Sequence, residues 1–200
     1  MKQRRIRKFF TIGILGAGAL FASCNNSGSG TEEGNQSDTS STRQETRVAV
    51  ANIGSVMSDT AVSGTARFEE KSNGQVKMTL DLMIPSKANQ TVAVHIHENP
   101  DCGDSGKAAG GHWNPTNDMH GEWGKDHFHS GDIGNIQLDG DGKGSKEMET
   151  DRWTVGGDAS KNILNRSIIV HGGTDDYTSQ PAGNAGARIG CGIIQAASGM

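Results

Sequence analysis

Two hundred residues is room for one domain with a core of useful size. The chain holds 19 basic and 23 acidic residues, and five of the basic ones, Lys2, Arg4, Arg5, Arg7 and Lys8, lie at its start. Without residues 1–23 fourteen basic residues face 23 acidic ones, a net charge near −9, which argues against nucleic acid or an anionic lipid surface as partner.

The basic start runs into the apolar stretch FFTIGILGAGALFAS, which is too short and too rich in glycine to span a bilayer comfortably. Residues 1–23 therefore read as a signal peptide with an n-region and an h-region. It ends at Leu20-Phe21-Ala22-Ser23-Cys24, which resembles the bacterial lipobox, although Phe21 stands where a smaller aliphatic residue is usual. That resemblance implies acylation of Cys24; ordinary cleavage leaving a free Cys24 is the alternative. Residues 25–46 contain no large apolar side chain, so they cannot offset their ordering entropy and read as a flexible tether. The expected division is a signal peptide over 1–23, an acylated cysteine and linker over 24–46, and a folded domain over 47–197.

From Val48 onward the chain reads as strands separated by turns. RVAVANI, TAVSGTARFEE, QVKMTLDLMI and TVAVHIHE alternate or are rich in β-branched residues, and Ser72-Asn73-Gly74 is a hairpin signal between the second and third. Later candidates are GNIQLD, residues 145–149, SIIVH and ARIGCGIIQ. No segment carries a sustained helical stripe, and 29 glycines in regular turn clusters favour an all-β, antiparallel sandwich or barrel. Residues 98–132 have almost no strand pattern, and a loop of that length inside a compact domain is usually functional. Trp113 and Trp123 lie in it and are expected to pack against it. With Cys24 given to the anchor, Cys102 and Cys191 are either one disulfide, suited to an exported protein, or two buried thiols.

Six histidines and one aspartate carry the chemistry: His95, His97, His112, His120, His129, Asp132 and His171. Period-two alternation puts His95 and His97 on one face of a strand. Copper and zinc take imidazole nitrogen with an occasional carboxylate, so the residue types fit a two-metal site. The seventh histidine, His127, forms a second His-x-His pair with His129 and is expected to be exposed.

HIHENPDC, GGHWNP, HSGDIGN, IIVHGGTDD and GNAGARIGCGII, in this order, resemble the Cu/Zn superoxide dismutase family over about Val48 to Gln195. The resemblance implies a Greek-key, immunoglobulin-like sandwich or barrel with long metal-binding and electrostatic loops. It implies copper on His95, His97, His112 and His171, and zinc on His112, His120, His129 and Asp132, with His112 shared. Asp175 would hydrogen-bond one histidine of each metal. Arg188 would hold an incoming anion beside copper, His112 would supply a proton, and Cys102–Cys191 would be a disulfide. The implied reaction converts two superoxide anions to dioxygen and hydrogen peroxide through a Cu(II)/Cu(I) cycle, with zinc structural. Residues 176–187 hold no lysine or arginine, so steering of superoxide would rest on Arg188, the metals and Lys107 or Lys125. The partners implied are superoxide, a membrane reached through the lipid anchor and, in a family that includes dimers, a second copy of the chain. The location implied is the bacterial envelope, facing the periplasm or the cell surface. A non-catalytic copper- or zinc-binding relative for metal buffering or delivery is the alternative.

Overall fold

The computed structural model describes residues 46–197, so the segment read as a signal peptide, Cys24 and nearly all of the expected tether lie outside the described residues. Nine strands form one antiparallel sheet: β1 (Val48–Ser55), β2 (Ser63–Glu70), β3 (Val76–Met83), β4 (Thr91–His97), β5 (Gly134–Gln137), β6 (Lys143–Thr150), β7 (Ser167–His171), β8 (Arg188–Ile193) and β9 (Gln195–Ala196). Their order is β5-β4-β7-β8-β1-β2-β3-β6, with β9 paired to β1. The two end strands, β5 and β6, are consecutive and joined by a tight turn at Asp139–Lys143, so the sheet rolls into a nearly closed barrel. Consecutive β3 and β4 lie far apart in the sheet, which is the crossing that makes the topology a Greek key.

Alternation explains the core. Ala49, Ala51 and Ile53 of β1, Ala66 and Phe68 of β2, and Met78, Leu80 and Leu82 of β3 all point inward. Each large apolar chain of this kind contributes about 1.5–3 kcal/mol by leaving water. The turn at Ser72-Asn73-Gly74 closes as the sequence expects, with Lys71 donating to Gln75 and Gly74 in the left-handed region at φ 82°.

Strands β4, β7 and β8 differ from the rest because both of their faces are covered. Val92, Val94 and Ile96 of β4, with Ile168 and Val170 of β7, enter the core, while His95, His97 and His171 are buried on the other face. That other face is covered by the long loop, and the loop is itself tied to the core. Trp113 is buried in the core rather than merely lying against the loop, with the Arg166 guanidinium 4.2 Å above its ring. Trp153, which no pattern singles out, is fully buried against Phe68 and Trp123, and its Nε1 donates to the Ser130 carbonyl at 2.8 Å.

The disulfide Cys102–Cys191 is present and ties the start of the long loop to β8. It closes 89 residues of sequence separation, worth roughly 4–5 kcal/mol in the chain-entropy model. Cys191→Ser should therefore lower unfolding free energy by several kcal/mol in urea titrations. A loss below about 1 kcal/mol would mean that the covalent link is redundant with the loop's other contacts.

Candidate metal centre

Strand pairing builds the site. β4 delivers His95 and His97 side by side, and β7 ends on His171, opposite Ala93 of β4 and Arg188 of β8 at a register shift. The long loop then returns to β4 twice. Trp113 N donates to the Ile96 carbonyl at 2.8 Å, Ile96 N donates to the Gly131 carbonyl at 2.8 Å, and Gly131 N donates to the Trp113 carbonyl at 2.9 Å. The neighbours of these three residues include His95, His97, His112 and Asp132. A Cβ at Gly131 would overlap the Ile96 carbonyl, so only glycine permits the crossing.

Two four-residue sets result, and within each the donor atoms lie within 4.8 Å of one another. One is His95, His97, His112 and His171; the other is His112, His120, His129 and Asp132. All seven side chains are buried. His112 belongs to both sets, with Nδ1 2.8 Å from Asp132 Oδ1 and Nε2 on the opposite side, without a hydrogen-bond partner.

The other histidines each have one nitrogen tied to an oxygen behind them. His97 Nδ1 lies 3.0 Å from the Gly110 carbonyl, His171 Nδ1 3.3 Å from the Gly186 carbonyl, and His129 Nε2 3.1 Å from the Asp118 carbonyl. His95 Nε2 and His120 Nε2 meet the two oxygens of Asp175 at 2.8 and 2.9 Å. A carbonyl or carboxylate oxygen only accepts, so the proton sits on those nitrogens and the lone pair faces the cluster.

Those lone pairs face one another. His97 Nε2 and His171 Nε2 are 3.4 Å apart, while His95 Nδ1, His120 Nδ1 and His129 Nδ1 are buried without partners. His120 Nδ1 and His129 Nδ1 come within 3.0 and 3.3 Å of the Asp132 carboxylate. Acceptors converging on acceptors in a dry interior are satisfied by a cation at the centre. Both donor sets fit a metal: four imidazoles in one, three imidazoles and a carboxylate in the other.

The family model described as copper/zinc superoxide dismutase matches residues 62–194. The chain belongs to the copper/zinc superoxide dismutase family. It is 37% identical over 147 residues to superoxide dismutase (Cu-Zn) of Candida albicans, covering 70% of this chain and 93% of that one. Against superoxide dismutase (Cu-Zn) of Deinococcus radiodurans it is 34% identical over 147 residues, or 68% and 78% of the two chains. Among solved structures, the crystal structure of the clock protein EA4 aligns with a TM-score of 0.65 at 26% identity, over 74% of this chain and 93% of that one.

Around the metal sets the family residues sit as follows. Asp175 is buried and links one histidine of each set. Arg188 donates from Nη1 to the Gly106 carbonyl at 2.6 Å and from Nη2 to the Gly110 carbonyl at 2.7 Å. Gly110 thus receives both Arg188 and His97, which fixes the guanidinium beside the all-histidine set. His127 is exposed and paired with Asp118 at 2.8 Å, apart from both sets.

Four contributors carry no sequence signal of their own. Asn135 accepts from Asp175 N and donates to the Asp175 carbonyl, both at 2.9 Å. Tyr177 donates its backbone N–H to Asp175 Oδ1 at 2.7 Å, and its hydroxyl accepts from Asn135 N at 3.1 Å. Gln180 makes two bonds to the His120 backbone, and Gly183 packs against Asp175 and His120. Asn135 falls in the quoted HSGDIGN stretch and Gly183 opens the quoted GNAGARIGCGII; Tyr177 and Gln180 follow from tertiary contact alone.

Burial, reinforced by neighbouring imidazoles, lowers His112 to about 4, His171 to about 3, and His97 well below its ordinary value. Burial opposes protonation of His120 too, but the Asp132 and Asp175 carboxylates at 3.0 and 2.9 Å outweigh it and raise this group to about 9 in the metal-free chain, where a proton on Nδ1 takes the place of a cation. For both carboxylates burial is likewise overcome by hydrogen bonds from histidines, which hold Asp132 and Asp175 well below the usual carboxylate range.

These shifts fix the pH dependence of the metal-free fold. Three histidines titrate lower in the folded than in the unfolded chain, so between about 6.5 and 4 the unfolded state binds more protons and stability falls with acid. His120 acts oppositely: its contribution is complete below about 6.5 and is lost as pH rises through about 9. Calorimetry of chelator-treated protein should show a melting temperature highest near pH 6.5 and lower at both pH 4.5 and pH 9. A melting temperature that rises steadily toward pH 4.5 would contradict the assigned neutral histidines.

Proposed function

We propose that the four-histidine set holds copper, that the three-histidine and aspartate set holds a structural zinc, and that the pair disproportionates superoxide to dioxygen and hydrogen peroxide. The single observation that carries the assignment is the lone-pair geometry. Each set presents only acceptors to its centre, one set all nitrogen and the other closed by a carboxylate. Copper, when bound, supplies one-electron redox chemistry in alternating directions.

The chain's own residues do the rest. Gly110 and Gly186 carbonyls orient His97 and His171, and Asp175 fixes His95 and His120 together. His112 Nδ1 is committed to the Asp132 side, while Nε2 faces the other set and is free to take up and release a proton. Arg188 uses the carbonyls of Gly106, Lys107 and Gly110 to hold its plane and keeps further N–H groups for a small anion. All of these residues belong to one chain, so a single copy carries a complete site and a second copy is not needed to build it.

The reading extends to placement in the cell. A basic start, an apolar run, a lipobox-like ending at Cys24 and an apolar-poor tether support an acylated protein anchored to an envelope membrane, facing the periplasm or cell surface. Cys24→Ser should move the protein from the membrane fraction to the soluble fraction and abolish labelling by radioactive palmitate; unchanged partitioning would remove the anchor.

Superoxide decay after pulse radiolysis tests the activity directly. Protein loaded with copper and zinc should accelerate decay, protein loaded with zinc alone should not, and Arg188→Gln should slow the reaction by about tenfold with a weaker dependence on salt. Decay no faster than buffer with both metals bound would replace the enzyme by a metal-binding relative.

A further inference from the structure

Segment 176–187 is the stretch in which the resemblance leads one to look for steering charges, and it holds no lysine or arginine. Gln180 within it is instead directed at His120. The Gln180 amide accepts from His120 N through Oε1 at 2.9 Å and donates from Nε2 to the His120 carbonyl at 2.9 Å. One planar group thereby holds both backbone polar groups of His120, setting its position and rotation.

His120 needs such a tether. Met119 beside it is half exposed, Glu122 and residues 124–127 are exposed, and no strand runs through this part of the loop. Its ring is held separately, with Nε2 on Asp175 Oδ1 at 2.9 Å. Asp175 and Gln180 are five residues apart in the same segment, so the ring and the backbone of His120 are fixed by one piece of chain.

That piece is stiff. Asp176 accepts from Thr178 N at 2.9 Å, Ser179 N at 2.8 Å, Ser179 Oγ at 2.6 Å and Asn184 Nδ2 at 3.2 Å. Backbone bonds run from Asp176 N to the Gly183 carbonyl and from Gly183 N to the Ser179 carbonyl, at 2.9 and 2.7 Å. Gly183 closes against the pair it serves: a Cβ there would overlap Asp175 Oδ1 and lie 2.6 Å from His120 Nε2. A preorganised loop lets an exposed glutamine act with little ordering cost.

We propose that Gln180 is a positioning residue for His120, and that segment 176–187 acts through it as a latch that retains zinc. The inference rests on the assignment of zinc to the His112, His120, His129 and Asp132 set. Partners that orient a metal ligand from behind typically change metal affinity by about 10–100-fold when removed.

The test uses the mature chain loaded with copper and zinc, and a parallel preparation with cobalt(II) in place of zinc. Gln180→Leu should speed zinc transfer to a chromophoric chelator by about tenfold and alter the visible absorption of bound cobalt(II). The melting temperature of the metal-free variant should stay close to that of the parent. Gln180→Glu, which keeps the acceptor for His120 N but loses the donor to the carbonyl, should fall between the two and serves if the leucine variant does not fold. Zinc transfer at the parental rate would overturn the proposal. So would faster transfer that is matched by a lower metal-free melting temperature, since that is general destabilisation. A parent chain that takes up neither zinc nor cobalt(II) would overturn the zinc assignment itself and the latch with it.

Discussion

Three backbone segments meet at Ile96, Trp113 and Gly131, and the metal centre depends on that meeting. The three residues close a ring of hydrogen bonds, each 2.8–2.9 Å, and Gly131 leaves no space for a side chain at the crossing. Ile96 and Trp113 are also buried in the barrel core. The loop is therefore not draped over the sheet but continuous with its packing. Because His95, His97, His112 and Asp132 stand next to these residues in sequence, the core's close packing fixes where these side chains can be.

On that frame the chain accepts a local electrostatic cost. The seven polar side chains of the two sets are buried, and several present lone pairs to one another with no donor between them. An unpaired buried acceptor costs about 1–3 kcal/mol. The arrangement is coherent only with cations at the two centres, and metal binding and folding then become one process. Asp175 couples the centres, since one carboxylate orients His95 on one side and His120 on the other. Asn135 holds the Asp175 backbone and Tyr177 N holds its carboxylate, so the ordering extends from β5 through the segment after β7.

The arginine and the disulfide form a second support. Cys191 is in β8, whose first residue is Arg188, and Cys102 opens the loop that supplies Gly106 and Gly110. The covalent link and the guanidinium thus hold the same loop from the same strand. Because Gly110 also receives His97, a displacement of this loop would be felt by Arg188 and a histidine of the all-histidine set together.

Much of this was legible before any coordinates. Alternation marked most of the strands because one face of each meets the core, whereas β6 runs further, Lys143–Thr150, than residues 145–149 suggested. Its side chains alternate only between exposed and half-buried, so its length is set by pairing with β3 along the whole strand. Trp153 was silent in the sequence because its partners, Phe68, Trp123 and Ser130, are distant along the chain. The sequence by itself determined the antiparallel class, the ligand types, the two cysteines and the family motifs, since these reside in local periodicity and in residue chemistry at short spacing. Only the tertiary structure decided which nitrogen of each histidine turns to the centre of its set. It also decided that an unremarkable glutamine grips His120. Those outcomes depend on contacts between residues up to 80 positions apart, and such contacts exist only once the barrel has closed.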